Sequence, residues 1–187
     1  CTPWAVNNAE SIFKAGVDAI KIASFHTSDL ELLSYVNERA KTVFLSTGMS
    51  TLEDIDAAVD TLSGIEDLYV LHCVSEYPLD PSRANLRVMD TLRERYGSRA
   101  KIGFSDHTLG ISAAVAAVAR GAEVIEEHIT LGHDMPGTDH VLSADPDELT
   151  DMVKQIRDIE VLLGSPVKQL TAMEAENQRF MRNRFRN

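Results

Sequence analysis

The chain has 187 residues, 44% of them hydrophobic and 25% charged, with a formal net charge of −11 at pH 7. That balance fits one soluble globular domain with a substantial core. The negative charge argues against non-specific nucleic-acid binding, which needs a basic surface to neutralise phosphates, and no apolar run approaches the roughly 20 residues of a membrane helix.

The chain opens at CTPW, with neither an initiator methionine nor a basic-then-apolar signal pattern, and reads as a fragment. Its two cysteines, Cys1 and Cys73, have no metal-binding spacing. Cys73 sits in an apolar run where it packs as a small hydrophobe, and a reducing cytoplasm suits such usage. Apolar runs bounded by turn signals predict five strands: Ala19 to Ser24, Thr42 to Ser46, Leu68 to Cys73, Lys101 to Ser105 and Glu123 to Glu127. Helical patterns fill the gaps. Ser28 with Glu31, and Ser50 with Glu53, form S-x-x-E boxes that open the first two connecting helices. Leu86, Met89, Leu92 and Tyr96 recur at helical spacing, and a small-residue helix ends at Gly121, a C′ glycine. The last clear helix has Asp145 as its cap, Pro146 in its first turn and Gly164 beyond its end. The tail after Gly164 is polar, carries four arginines, and reads as a linker or frayed helix.

Alternating strands and helices imply a parallel sheet, either open and doubly wound or closed as a barrel. Every strand here ends in a polar cluster: KIAS-FH, FLSTGM, LHCVSEYP, GFSDHT and EEHIT. An open sheet gathers ligands at one switch point, whereas a barrel uses the carboxyl ends of many strands. The predicted fold is therefore α/β, a TIM (β/α)8-type barrel that is partial, with about five of eight units, and about three strands are expected upstream of Cys1.

Two strand ends carry histidines, His107 and His128, beside Asp106, Glu126 and Glu127. A lone strand-end histidine is more often structural, but a neighbouring pair with carboxylates suits a divalent ion. Two imidazoles with oxygen ligands fit Mn²⁺, with Mg²⁺ or Co²⁺ as alternatives, better than a closed thiolate zinc site. Lys21 lies inside an apolar strand, where an ammonium needs an anion, either a structural carboxylate or a ligand. Thr2, Ser24, Ser46, Ser75 and Ser105 end other strands, and one cation ringed by hydroxyls describes a site for a phosphorylated carboxylate. Gly48 permits a tight turn before a helix N-terminus, with or without an anion there. Tyr77 can line the same pocket, Met49 is expected to pack, and His72, His133 and His140 suggest no role.

CTPW, KIAS, LSTGM, HCVSEYP, GFSDHTLGI, EEHITL and MPGTDH stand in the order found in the sialic acid synthase family, which this chain resembles from Cys1 to about Gly164. The resemblance implies condensation of phosphoenolpyruvate with N-acetylmannosamine or a related amino sugar, giving a nonulosonic acid and phosphate. It implies phosphoenolpyruvate contacts at Thr2, Lys21, Ser24, Ser46 and Ser105, with Ser75 as a further contact, a metal on His107 and His128, and a sugar contact at Asp139. On that pattern residues 1–164 are the later part of the barrel domain, and 165–187 lead toward an antifreeze-like domain in a homodimer. His26 departs from the pattern, since many members carry glutamate there; histidine can also act as general acid or base. Glu127 departs too, where a basic residue is common. Two other readings stand beside this one: a metal-dependent barrel hydrolase, and a fragment incompetent without its missing strands.

Overall fold

The computed structural model describes residues 1–184. Its five strands are β1 (Ala19–Ile22), β2 (Thr42–Ser46), β3 (Asp67–Cys73), β4 (Lys101–Ser105) and β5 (Ile125–Glu126). Each pairs in parallel with the next, giving one sheet of order β1-β2-β3-β4-β5. Such sequential order, with a helix at each crossover, never reverses direction as a doubly wound sheet must. The sheet is a half-barrel.

The helices are α1 (Val6–Lys14), α2 (Leu30–Asn37), α3 (Leu52–Thr61), α4 (Val88–Tyr96), α5 (Ser112–Ala119), α6 (Pro146–Leu163) and α7 (Ala172–Arg184). Strand alternation divides the residues cleanly. Ile20, Ile22, Val43, Leu45, Leu68, Val70, Ile102 and Phe104 face the helices and are almost wholly buried. They meet Leu32, Leu33 and Val36 of α2, Ile55, Ala58 and Val59 of α3, and Met89, Leu92 and Tyr96 of α4. Each such burial is worth about 1.5–3 kcal/mol, so this layer carries the stability. The other face carries Lys21, Phe44, Ser46, Tyr69, Cys73 and Ser105. It is left free for chemistry at its carboxyl end.

Several predicted boundaries move. Asp29, not Ser28, caps α2, its carboxylate accepting from Leu32 N–H. Thr51, not Ser50, caps α3 in a reciprocal box with Asp54. In both places a second capping residue follows the predicted one, and the extended backbone of Thr51 suits the cap position. Asp145 caps α6 as predicted, boxed with Glu148 and followed by Pro146. Gly121 takes φ +86° just past α5. Helix α1 carried no capping signal, since its cap is Ala5 without a side-chain hydrogen bond. The tail forms α7, most of whose described residues are exposed; Arg186, the last of the four arginines, lies outside the described residues.

Candidate active site

Parallel strands of different length bring their ends to one rim, and the first residues past each end face the barrel axis. There the structure gathers a cavity of about 600 Å³ lined by Thr2, Lys21, Ser24, Ser46, Ser75 and Ser105 at its base and by Tyr77, His107 and His128 along one wall. All of these were singled out in the sequence. Thr2 joins because the chain start is tied alongside β1: Lys21 N–H donates to the Cys1 carbonyl at 2.8 Å, and the Cys1 amino group donates to the Ala19 carbonyl at 3.2 Å.

Lys21 Nζ lies 3.2 Å from Glu126 Oε1, and the Ser46 hydroxyl donates to Glu126 Oε2 at 3.2 Å. The structural partner that a strand lysine needs is thus Glu126, a residue the sequence gave only as a neighbour of His128. The pair sits inside the cavity, so a bound anion and Glu126 would share the ammonium. Gly48 closes the base. Its N–H donates to Ser24 Oγ at 3.1 Å, and a Cβ there would lie 2.2 Å from Ser75 Oγ and 2.8 Å from Ser24 Oγ. The hydroxyls therefore converge on a space that only glycine leaves open. Ser75 Oγ is buried without a hydrogen-bond partner, which marks a place for a ligand atom.

The rings of His107 and His128 have centroids 5.4 Å apart. Two imidazoles that share one ion keep their centroids within about 6.5 Å, given metal–nitrogen bonds of about 2.1 Å. The Nδ1–H of His107 is oriented by the Val74 carbonyl at 2.8 Å, leaving Nε2 as the ligand nitrogen, the support that metal-binding histidines usually have. The donor set fits a divalent ion. Burial works to lower the His107 pKa, but hydrogen bonds to Cys73 and Val74 and the Cys73 and Glu126 charges outweigh it, so the net shift is upward. The Cys73 sulfur is 4.0 Å from Nδ1, a longer contact than the one that nitrogen makes to the Val74 carbonyl. His128 is lowered by burial and then by the charge of His107. Two like charges resist coexisting there, which favours the neutral, ligating form of His128.

Beside this wall stand Asp106, wholly buried, and Glu127, which also lines the cavity. Burial, then repulsion from Asp106, pushes the Glu127 carboxyl up to about 8. Asp106 Oδ2 and Glu127 Oε2 are both buried without partners.

Other residues fall elsewhere. His26 does not line the cavity; its Nδ1 lies 3.4 Å from Asp29 Oδ2 and its Nε2 is buried without a partner. Asp139 sits on the loop after β5, held near the site because Ala144 N–H donates to the His128 carbonyl at 2.7 Å. Its charge reaches Tyr77 and His128, although its side chain does not line the cavity. Met49, expected to pack, is 71% exposed with φ 60° at the cavity rim, because the tight turn after β2 turns it outward. Cys73, expected as a packing residue, is buried but also lines the cavity, 3.5 Å from Ser24 Oγ. His72 is buried and bonded to the Ala84 carbonyl at 2.7 Å. His133 meets Asp145 and Glu148, a group with the spacing of a metal site. Those two carboxylates also form the cap of α6.

Five parallel strands in sequential order, with polar and ionisable side chains gathered at their carboxyl ends, define part of a β/α-barrel. The sequence profile of the NeuB family matches residues 1–168, and the chain belongs to that family. It is 35% identical over 185 residues to N,N′-diacetyllegionaminic acid synthase of Campylobacter jejuni, covering 97% of this chain and 55% of that protein. It is 35% identical over 166 residues to N-acetylneuraminate-9-phosphate synthase of Mus musculus, covering 88% of this chain and 46% of that one. Among solved structures, an N-acetylneuraminic acid synthetase from Leptospira borgpetersenii superposes with a TM-score of 0.88 at 35% identity, over 100% of this chain and 65% of that one. None of these is named as a hydrolase. The chain spans about half the length of the curated relatives it matches.

Proposed function

We propose that this chain supplies one side of an active site that condenses phosphoenolpyruvate with an N-acylated hexosamine to a nonulosonic acid, releasing phosphate. The observation that carries the reading is the convergence, in one cavity of a NeuB-family chain, of Lys21 and a ring of hydroxyls with the His107–His128 pair. Thr2, Ser24, Ser46, Ser75 and Ser105 would hold the phosphate and carboxylate of phosphoenolpyruvate, with Lys21 compensating their charge. His107 and His128 would hold a divalent ion, Mn²⁺ by ligand type, which supplies Lewis acidity toward a carbonyl oxygen.

In the reaction the methylene carbon of phosphoenolpyruvate bonds to the sugar carbonyl carbon. The oxygen of a water adds at the adjacent carbon, and the bond to the phosphate oxygen breaks as phosphate leaves. Lys21 faces the negative charge that builds on the phosphate-bearing end, already fixed by Glu126 and so needing little reorganisation. Tyr77, its ring tilted 39° to that of His107 with centroids 4.0 Å apart, packs against that imidazole and would shield the wall from water. Asp139 would approach sugar hydroxyls as its loop closes on the cavity, and His26 would set the turn after β1. We place the enzyme in the cytoplasm, as a homodimer in which residues 165–187 lead toward a further domain.

The test is phosphate release from phosphoenolpyruvate and N-acetylmannosamine, with Mn²⁺, by a complete polypeptide carrying this chain. His107→Ala and His128→Ala should each lower metal-dependent release by at least about 100-fold, at unchanged melting temperature. Undiminished release in both, or release without a nine-carbon product, would sink the proposal.

A further inference from the structure

Outside the cavity, one imidazole on the loop after β5 meets two carboxylates at the start of α6. His133 Nε2 lies 3.2 Å from Glu148 Oε2 and 3.8 Å from Asp145 Oδ2, and the three donor atoms lie within 4.8 Å of one another. None of the three residues lines the cavity that holds His107 and His128. The His140 carbonyl, 3.2 Å from His133 Nδ1, aims Nε2 at the carboxylates, the support that ligating histidines usually have. Capping α6 does not use the carboxylates up. Asp145 Oδ1 takes the N–H groups of Asp147 and Glu148, at 2.9 Å each, and leaves Oδ2 toward His133. Glu148 Oε2 accepts from Asp145 N–H at 3.0 Å with one of its lone pairs. The cap therefore fixes both carboxylates and leaves each an acceptor position.

The surrounding charge points the same way. Glu127 stands close enough to Asp106 and to Glu148 for both to repel its carboxylate. Glu127 Oε2 and the Oδ2 of the wholly buried Asp106 have no hydrogen-bond partner. Asp106, Glu127, Glu148 and Asp145 are thus neighbours in which negative charge exceeds what the adjoining imidazoles can balance, and a cation would relieve it. Metal–ligand bonds of about 2.1 Å hold neighbouring donors about 3–3.6 Å apart, so the distances to His133 need change by only a few tenths of an ångström. A nitrogen in the donor set disfavours Mg²⁺ and Ca²⁺, whereas imidazole with carboxylates and water suits Zn²⁺. We propose that His133, Asp145 and Glu148 form a second divalent-metal site, selective for Zn²⁺ over Mg²⁺, that staples the loop after β5 to the N-terminus of α6. This loop, residues 127–145, carries Asp139 and is closed at its base by Thr130 and Ala144. An ion at His133 adds a tie farther out. The site is independent of the synthase reading, because it uses none of the residues assigned to phosphoenolpyruvate or to the first ion.

Calorimetric titration of Zn²⁺ into the metal-stripped complete polypeptide tests this, in a His107→Ala/His128→Ala variant that lacks the first site. That variant should still bind Zn²⁺, at least about tenfold more tightly than Mg²⁺. Adding His133→Ala should weaken Zn²⁺ binding at least about tenfold, the minimum expected when a ligand rather than its support is lost. Glu148→Gln, which keeps an oxygen for Asp145 N–H and so keeps the cap, should weaken it likewise at unchanged melting temperature. Chymotrypsin reads the staple at Leu131, which is 84% exposed. Zn²⁺ at ten times its Kd should slow cleavage there about tenfold, and not once His133→Ala is present. A His107→Ala/His128→Ala variant that binds no Zn²⁺, or binding that His133→Ala leaves unchanged, would overturn the site and leave His133 as an ion-pair partner. Protection that survives His133→Ala would overturn the staple.

Discussion

Gly48→Ala is the most direct probe of the anion cradle, because one methyl group separates binding from folding. The added Cβ would lie 2.2 Å from Ser75 Oγ, 2.8 Å from Ser24 Oγ and 3.2 Å from Cys73 Sγ. Two of these are hydroxyls that can rotate away, and the sulfur need give only a few tenths of an ångström. The fold should therefore lose no more than about 1 kcal/mol, at the low end for overpacking. Binding is a different matter. Rotation takes both hydroxyls off the space where the ligand would sit, and each hydrogen bond to a charged group is worth about 1.5–3 kcal/mol. Losing two costs about 3 kcal/mol or more, a factor above about 100 in Kd. Calorimetric titration with phosphoenolpyruvate and a thermal melt of the same preparation read the two effects. Gly48→Ala/Ser75→Gly, which removes the nearest clash, should recover part of the affinity. Parent-like affinity in Gly48→Ala, at parent-like stability, would refute the cradle.

His72 gives a pH test. Burial holds its pKa below the ordinary 6.5, so the native state keeps it neutral while the unfolded chain takes up a proton below about 6.5. Its contribution is complete above that pH and declines as pH falls toward the depressed native value. His72→Gln should flatten the loss of melting temperature between about pH 7 and pH 5 relative to the parent; an unchanged slope would refute it. Phe104, fully buried between sheet and helices, tests the outer layer: Phe104→Ala should cost about 3–5 kcal/mol and lower the melting temperature by about 10 °C, whereas a loss under about 1 kcal/mol in denaturant titration would show that layer to be loosely packed.

Much of the site was readable because strand alternation is a local rule. A residue just past the end of a parallel strand points to the axis or to the helices. His107, His128, Ser46 and Ser105 could therefore be placed together before their distances were known. The same rule explains the failures. Ser28 and Ser50 satisfied a capping pattern that Asp29 and Thr51 satisfied better by one residue, and only backbone geometry chooses between neighbours. Cys73 was apolar in context yet reached the cavity because its strand, the longest of the five, ends facing inward. His26 carried a strand-end position, but the turn after β1 directs it to Asp29 and gives the cavity to Phe25.

The sequence by itself determined the parallel α/β order, the strand ends that meet, and the residue types that can hold an anion and a metal, because periodicity and chemistry are written along the chain. The partner of Lys21 and the opposed carboxylates Asp106 and Glu127 were decided only by the tertiary structure. Each joins segments far apart in the chain, and their distances follow from sheet curvature and register, which no local pattern encodes.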